Sequence, residues 1–276
     1  MKIACLSGKG GAGKTFVAVN LATIADGATY IDCDVEEPNG RLFLTPDAGS
    51  VETDVVSTLL PSFDASKCDG CKACVRFCRF HALAYIADKP LVFPEICHSC
   101  GGCKMICPNG AVSEVPKPIG LIELAQHGST KIVTGELNTG EATGVPVIKA
   151  ALEHAADLTV IDCPPGSACP VMESIEDADY CVLVAEPTAF GFHNFKMVHE
   201  LVTLLDRKCG VVINKQDAPY EPLEDYCAAK GVSVLARIPY DARIASLVAD
   251  GLIATEHDNA IRALFTELLA EIEAQA

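Results

Sequence analysis

The sequence predicts an α/β protein, a doubly wound and mostly parallel sheet interrupted by an inserted α+β segment. Three observations carry this. Apolar runs of strand length alternate with helix-like stretches along most of the 276 residues. The first such run, Ile3-Ala4-Cys5-Leu6, passes directly into a glycine-rich turn and the helix-like Phe16 to Ala25. The composition then changes near Pro61-Ser62-Phe63-Asp64, and eight of the fifteen cysteines crowd into residues 68–107. The predicted division is therefore a discontinuous α/β part, residues 1–62 and 117–276, and an insertion at 63–116.

The first unit reads as strand Lys2–Leu6, turn, helix Lys14–Ala25 and strand Thr29–Cys33. Its turn, Gly8-Lys9-Gly10-Gly11-Ala12-Gly13-Lys14-Thr15, has the spacing and context of a phosphate loop. Glycines let successive backbone N–H groups converge on phosphate oxygens, and the helix N-terminus adds a favourable dipole. Lys14 is expected to reach the β- and γ-phosphates and the Thr15 hydroxyl to hold Mg²⁺. The second strand ends in Asp32-Cys33-Asp34. Acids leaving a strand beside a phosphate loop suit water positioning or the Mg²⁺ shell, and they equally suit a solvated acidic turn.

After Pro116-Lys117-Pro118 the alternation resumes, with a strand at Lys131–Glu136, a loop through Gly140-Glu141 to Gly144, and a helix at Val145–Ala155. Leu158-Thr159-Val160-Ile161-Asp162 is an apolar strand ending in an acid, the Walker B pattern. Tyr180–Ala185, Cys209–Ile213 and Val234–Ile238 are further buried strands. Asn214-Lys215-Gln216-Asp217 follows one of them; its asparagine can reach a purine edge, and Asn-Lys-x-Asp is also a guanine-recognition pattern. In a parallel sheet of this kind the nucleotide lies at the C-terminal strand ends. The tail from Asn259 is amphipathic and acidic, where a membrane-targeting helix would carry lysine and arginine, so a packed or partner-facing helix is expected.

The inserted cysteines form two runs, Cys68, Cys71, Cys74, Cys78 and Cys97, Cys100, Cys103, Cys107, offset by 29 residues. This is the bacterial ferredoxin spacing twice over, in which the fourth cysteine of each run reaches the other cluster. The expected sets are Cys68, Cys71, Cys74 and Cys107 for one [4Fe–4S] cluster, and Cys97, Cys100, Cys103 and Cys78 for the other. Zinc also takes Cys-x-x-Cys, but two four-cysteine runs of this spacing are hard to explain as zinc sites. Arg79 stands where proline usually follows such a run, and His98 lies between two ligand positions on a tight loop.

A formal net charge of −16 disfavours nonspecific binding to nucleic acid or to an anionic membrane. No apolar run approaches transmembrane length and no basic-then-apolar leader opens the chain, so a cytoplasmic protein without direct membrane insertion is expected.

These residues resemble the MinD/ParA group of P-loop ATPases, and most closely the MinD-like members that carry an inserted two-cluster ferredoxin. The motifs are Gly-Lys-Gly-Gly-x-Gly-Lys-Thr, Asp-x-Asp, the cysteine runs, Gly-Glu-Leu-Asn-x-Gly-Glu, Asp-x-Pro-Pro-Gly and Glu186-Pro187-Thr188. The resemblance implies that Lys9 crosses an ATP-sandwich dimer to the partner's nucleotide. It implies that Asp34 positions the attacking water, that Asp162 stands near Mg²⁺, and that Asn214 contacts the base, with ATP favoured over a guanine nucleotide. It further implies a homodimer, or a heterodimer with a sister ATPase, that serves a redox partner protein. Cys5, Cys33, Cys181 and Cys209 are expected to be small buried residues. Cys169 lies near where the related nitrogenase iron protein ligates a bridging cluster, and packing is the competing account. The leading expectation is an ATPase whose nucleotide state gates electron transfer. A MinD-like positioning switch and a metal or cluster maturation factor are the alternatives.

Overall fold

The computed structural model describes all 276 residues. The chain opens with β1 (Lys2–Leu6), α1 (Lys14–Ile24) and β2 (Thr29–Asp32). It then runs along β3 (Glu52–Phe63) into the cysteine-rich segment. That segment contains α2 (Ala73–Phe77), the hairpin β4 (Leu83–Ile86) and β5 (Lys89–Val92), and α3 (Gly102–Met105). The return is along β6 (Val112–His127) and β7 (Thr130–Leu137). Alternation follows through α4 (Val145–Leu152), β8 (Thr159–Asp162), α5 (Cys169–Ile175), β9 (Tyr180–Ala185) and α6 (Ala189–Leu204). It continues with β10 (Cys209–Gln216), α7 (Glu221–Lys230) and β11 (Ser233–Pro239). Helices α8 (Ala242–Ala249), α9 (Ala254–His257) and α10 (Asn259–Gln275) close the chain.

Nine strands form one sheet in the order β11-β10-β9-β1-β8-β2-β7-β6-β3. The first seven in that order are parallel, and β6 and β3 add an antiparallel edge. Helices cover both faces of the parallel part, which is why its strands read as unbroken apolar runs. The pleat sorts β1 between two cores: Ala4 and Leu6 pack with Val147, Val171 and Phe195 on one side. Ile3 and Cys5 pack with Val17 and Leu268 on the other. The acidic tail is a packed helix, burying Ile261, Phe265, Leu268 and Ile272, with the Phe265 ring edge-on to Phe16 at 5.8 Å.

The antiparallel edge is the part that the periodicity did not reveal. β3 and β6 pair from Glu52 opposite Leu124 to Phe63 opposite Val112, with one irregularity after Val56. Pro116 and Pro118 lie inside β6, beyond the point where β7 stops pairing with it at Gly120. There β6 has a single neighbour, the situation in which a strand tolerates proline. The cysteine-rich segment is thus carried on a two-stranded ribbon that is also the edge of the nucleotide-binding sheet.

Within that segment the 29-residue repeat of the sequence is a repeat of backbone. Left-handed residues recur at Gly70 and Ser99, at Lys72 and Gly101, and at His81 and Gly110. The same crossing bond closes each half: Asp64 N–H to the Ala111 carbonyl at 2.8 Å, and Phe93 N–H to the Ala82 carbonyl at 2.9 Å.

Candidate nucleotide site and cysteine cavities

The C-terminal ends of β1, β2, β8 and β10 border a cavity of about 740 Å³, lined among others by Gly10, Gly11, Lys14, Thr15, Asp34 and Asn214. The turn after β1 is shaped by left-handed backbone at Gly11 and Gly13, at φ of 78° and 94°. A side chain at Gly13 would also strike the Asn214 amide, since its Cβ would lie 2.0 Å from Nδ2. The backbone at Gly10 and Gly11 faces open space, a cradle that any Cβ would begin to fill.

Beneath the cradle is a buried charge cluster. Lys14 Nζ donates to Asp162 Oδ1 at 2.6 Å and stands 3.8 Å from Asp34 Oδ2. Burial alone would lower the Lys14 pKa, but the charge and hydrogen bond of Asp162 outweigh it and keep the ammonium firmly protonated. The Tyr30 hydroxyl donates to the other Asp162 oxygen at 2.9 Å. Asp32 accepts from the Asp34 N–H at 3.0 Å and the Gly40 N–H at 2.9 Å, so it shapes the loop that carries Asp34. Burial and the neighbouring Asp162 charge push Asp32 up to about 7. Burial, against the pull of Lys14, brings Asp34 to about 6. Of these acids only Asp34 opens on the cavity, and with Thr15 and the open row of backbone N–H groups it fits phosphate oxygens and a hard cation that takes most of its ligands from nucleotide and water.

The rest of the loop is tied from the opposite side. Asn214 Nδ2 donates to the Ala12 carbonyl at 2.8 Å, and its Oδ1 accepts from the Lys215 N–H at 2.9 Å. Its amide therefore braces the loop while the residue also lines the cavity. Lys215 Nζ donates to the Gly11 carbonyl at 2.7 Å and to Glu186 Oε1 at 2.8 Å. Glu186 Oε2 takes Lys9 Nζ. Burial pushes the Glu186 carboxyl up, but the hydrogen bonds and charges of Lys215 and Lys9 leave it below its usual range. Gly8, Lys9, Ala12 and Asp162 do not line the cavity, and Asp162 meets it through Lys14. Sequence reasoning missed Tyr30, Asp32 as a loop brace, Glu186 as a counter-ion, and Lys215. The motifs Asp32-Cys33-Asp34, Glu186-Pro187-Thr188 and Asn214-Lys215-Gln216-Asp217 contain three of them without indicating these contacts, and nothing pointed to Tyr30.

The inserted cysteines fall into two groups. Cys68, Cys71, Cys74 and Cys107 line one small cavity, and Cys78, Cys97, Cys100 and Cys103 line a second. Each group draws one cysteine from the other run. All are free thiols, and no three His, Cys, Asp or Glu side chains converge tightly enough to hold a single metal ion. The four thiols that share each cavity are the sets that the crossed ferredoxin spacing pairs. His98 stacks on Phe80 at 3.9 Å beside the second cavity. Of the scattered cysteines, Cys5, Cys33 and Cys181 are buried, Cys209 is half-buried, and Cys169 is exposed at the start of α5.

A phosphate cradle at the head of β1, a buried lysine and acids at adjacent strand ends define a P-loop nucleotide-binding protein. The chain belongs to the CobQ/CobB/MinD/ParA nucleotide binding domain family, which matches residues 3–254, and is a P-loop ATPase of the MinD/ParA type. Uncharacterized protein MJ0578 of Methanocaldococcus jannaschii is 25% identical over 285 residues, covering 99% of this chain and 96% of that one. The cell division ATPase MinD of Pyrococcus furiosus superposes with a TM-score of 0.59 at 22% identity, covering 100% and 99%. MinD of Pyrococcus horikoshii, complexed with Mg-ADP, gives 0.58 at 18% identity, covering 98% and 95%. The beta subunit of adenylylsulfate reductase from Megalodesulfovibrio gigas is 34% identical over 87 residues, which is 27% of this chain and 52% of that subunit. No helix is long and apolar enough to cross a membrane.

Proposed function

We propose that this protein binds and hydrolyses MgATP as a dimer, and that its nucleotide state gates electron transfer through two [4Fe–4S] clusters to a partner protein. One observation carries the reading: the eight-cysteine segment is built on the edge strands of the nucleotide-binding sheet and is strapped to a loop at the nucleotide cavity. Lys117 of β6 donates to Glu141 at 2.7 Å and to the Pro94 carbonyl, close to Cys97, at 3.2 Å. Glu141 belongs to the loop that ends at Gly144, which lines the cavity. Movement of that loop with the γ-phosphate therefore pulls on the second cysteine run. The match to a reductase subunit supports the redox reading.

In this reading residues 63–116 act as the redox module and the rest of the chain as the ATPase. Cys68, Cys71, Cys74 and Cys107 hold one cluster, and Cys97, Cys100, Cys103 and Cys78 the other; when bound, the clusters supply one-electron chemistry. Lys14 exchanges Asp162 for the β- and γ-phosphates, the Thr15 hydroxyl would hold Mg²⁺, Asp162 stands behind Lys14 without opening on the cavity, and Asn214 borders the base. Asp34, one-fifth exposed at the cavity, orients the attacking water and takes up its proton. Because Asp34 must be ionised to do so and burial brings it to about 6 in the nucleotide-free protein, kcat/KM is expected to fall as pH drops through about 6. Asp34→Asn is expected to lower kcat by about a hundredfold or more and to abolish that acid limb; a pH–rate profile of both proteins checks it.

The test of coupling is anaerobic redox titration of the iron-loaded protein with MgADP and with a nonhydrolysable ATP analogue. The reading expects a shift in cluster potential, or in electron-transfer rate to an acceptor, between the two. Identical values in both nucleotide states would remove the gating claim. They would favour a second reading, a positioning or regulatory switch like the MinD proteins whose fold the chain shares.

A further inference from the structure

Lys9 lies in the phosphate loop yet does not line the nucleotide cavity. Its ammonium is held instead by Glu186, at the end of β9, and sits 5.5 Å from the centre of the Phe190 ring. The corner that presents Glu186 is built for close approach. Gly8 lets α6 lie against the loop, since a Cβ there would come within 2.2 Å of the Asn194 carbonyl oxygen. Thr188 caps α6 by accepting from the Gly191 N–H at 3.0 Å, and a side chain at Gly191 would collide with the Glu186 carbonyl. Glu186 is thus fixed in place, little exposed, and turned toward two cations.

We propose that Glu186 is a positioning residue of the ATPase, a resting counter-ion that holds Lys9 off the nucleotide cavity until phosphate oxygens compete for it. The second cation makes the exchange inexpensive. Lys215 keeps its own bond to Glu186 and its bond to the Gly11 carbonyl, so the departure of Lys9 does not strand a partly buried carboxylate. Lys9 moves between two anions, the Glu186 carboxylate and the phosphates of bound nucleotide, and the loop stays anchored throughout. Binding of MgATP therefore works against the Lys9–Glu186 pair. This inference rests on reading the phosphate loop as the nucleotide site.

Calorimetric titration with the magnesium complex of the β,γ-imido analogue of ATP tests it, on the wild-type protein, Glu186→Gln, Lys9→Ala and the double variant. Removing the carboxylate charge should tighten binding by about twofold to fivefold, the upper part of the range of a partly exposed ion pair. The same substitution in the Lys9→Ala background should change affinity by less than about twofold, because no cation remains to be released. Glu186→Asp, which keeps the charge, should leave affinity at the wild-type value, and Glu186→Ala replaces the glutamine variant in the cycle if that variant does not fold. Equal tightening in both backgrounds, unchanged affinity, or weaker binding by Glu186→Gln would each overturn the proposal while leaving the nucleotide site intact. A wild-type protein that does not bind the analogue at all would overturn the nucleotide reading and this inference together.

Discussion

Lys14→Met is expected to abolish ATP turnover and, in the absence of any nucleotide, to destabilise the fold by about 3 kcal/mol. The two effects have separate causes. The first follows from losing the cation that faces the phosphates. The second follows from what Lys14 does in the empty site, where it is the nearest cation to the fully buried Asp162 and also compensates Asp32 and Asp34. With lysine gone, the cluster keeps three carboxylates and no ammonium. Asp32 and Asp34, already raised above the unfolded value near 4 by burial, lose the charge that lowered them, so their folded-state pKa values rise further. The sign follows from that: the variant loses stability as pH rises through those raised values and regains it on acidification. Urea unfolding of both proteins at pH 5 and pH 8 checks it. A deficit larger at pH 8 than at pH 5 is expected, and a pH-independent deficit would mean that only packing was lost.

On the proposed reading of two clusters, Cys107→Ser is expected to disrupt the one held by the first cysteine run and to spare the one held by its own. Cys107 shares its cavity with Cys68, Cys71 and Cys74, whereas the cysteines nearest to it in sequence line the other cavity with Cys78. Iron content of the reconstituted protein should fall from about eight to about four per chain. The remaining signal in low-temperature electron paramagnetic resonance should match that left by Cys68→Ser. It should differ from the one left by Cys78→Ser, which removes a thiol from the second cavity. If Cys107→Ser instead matched Cys97→Ser, the runs would each hold their own cluster and the crossed assignment would be wrong. This is a large effect, because such a cluster loses one of its four thiolate ligands.

How much of this was legible beforehand depended on whether the interaction is local. The turn from Gly8 to Thr15 could be read because its shape is dictated by neighbouring backbone, and the left-handed Gly11 and Gly13 bear that shape out. Strands such as Tyr180–Ala185 could be read because burial on both faces leaves an apolar run that needs no partner to be recognised. The duplication of the cysteine segment was visible as a 29-residue offset and reappears in paired left-handed residues. The β3–β6 ribbon was not visible. Its strands mix exposed polar residues, valines and prolines, with no clean period, and they find each other only across the whole insertion. The bond from Tyr30 to Asp162 spans 132 residues, and that from Lys9 to Glu186 spans 177. No periodicity encodes such pairs.

The sequence by itself therefore determined the class of protein, the nucleotide loop, the acids at the strand ends and the repeated cysteine spacing. All of these are matters of short-range backbone chemistry and of residue type. Only the tertiary structure decided that the cysteine segment hangs on the edge of the nucleotide-binding sheet, that Lys14 rests on Asp162, and that Glu186 holds Lys9 aside. Those depend on which strand ends and helix corners the parallel sheet brings side by side. The order of strands in a sheet is set by packing of the whole chain, not by any stretch of it.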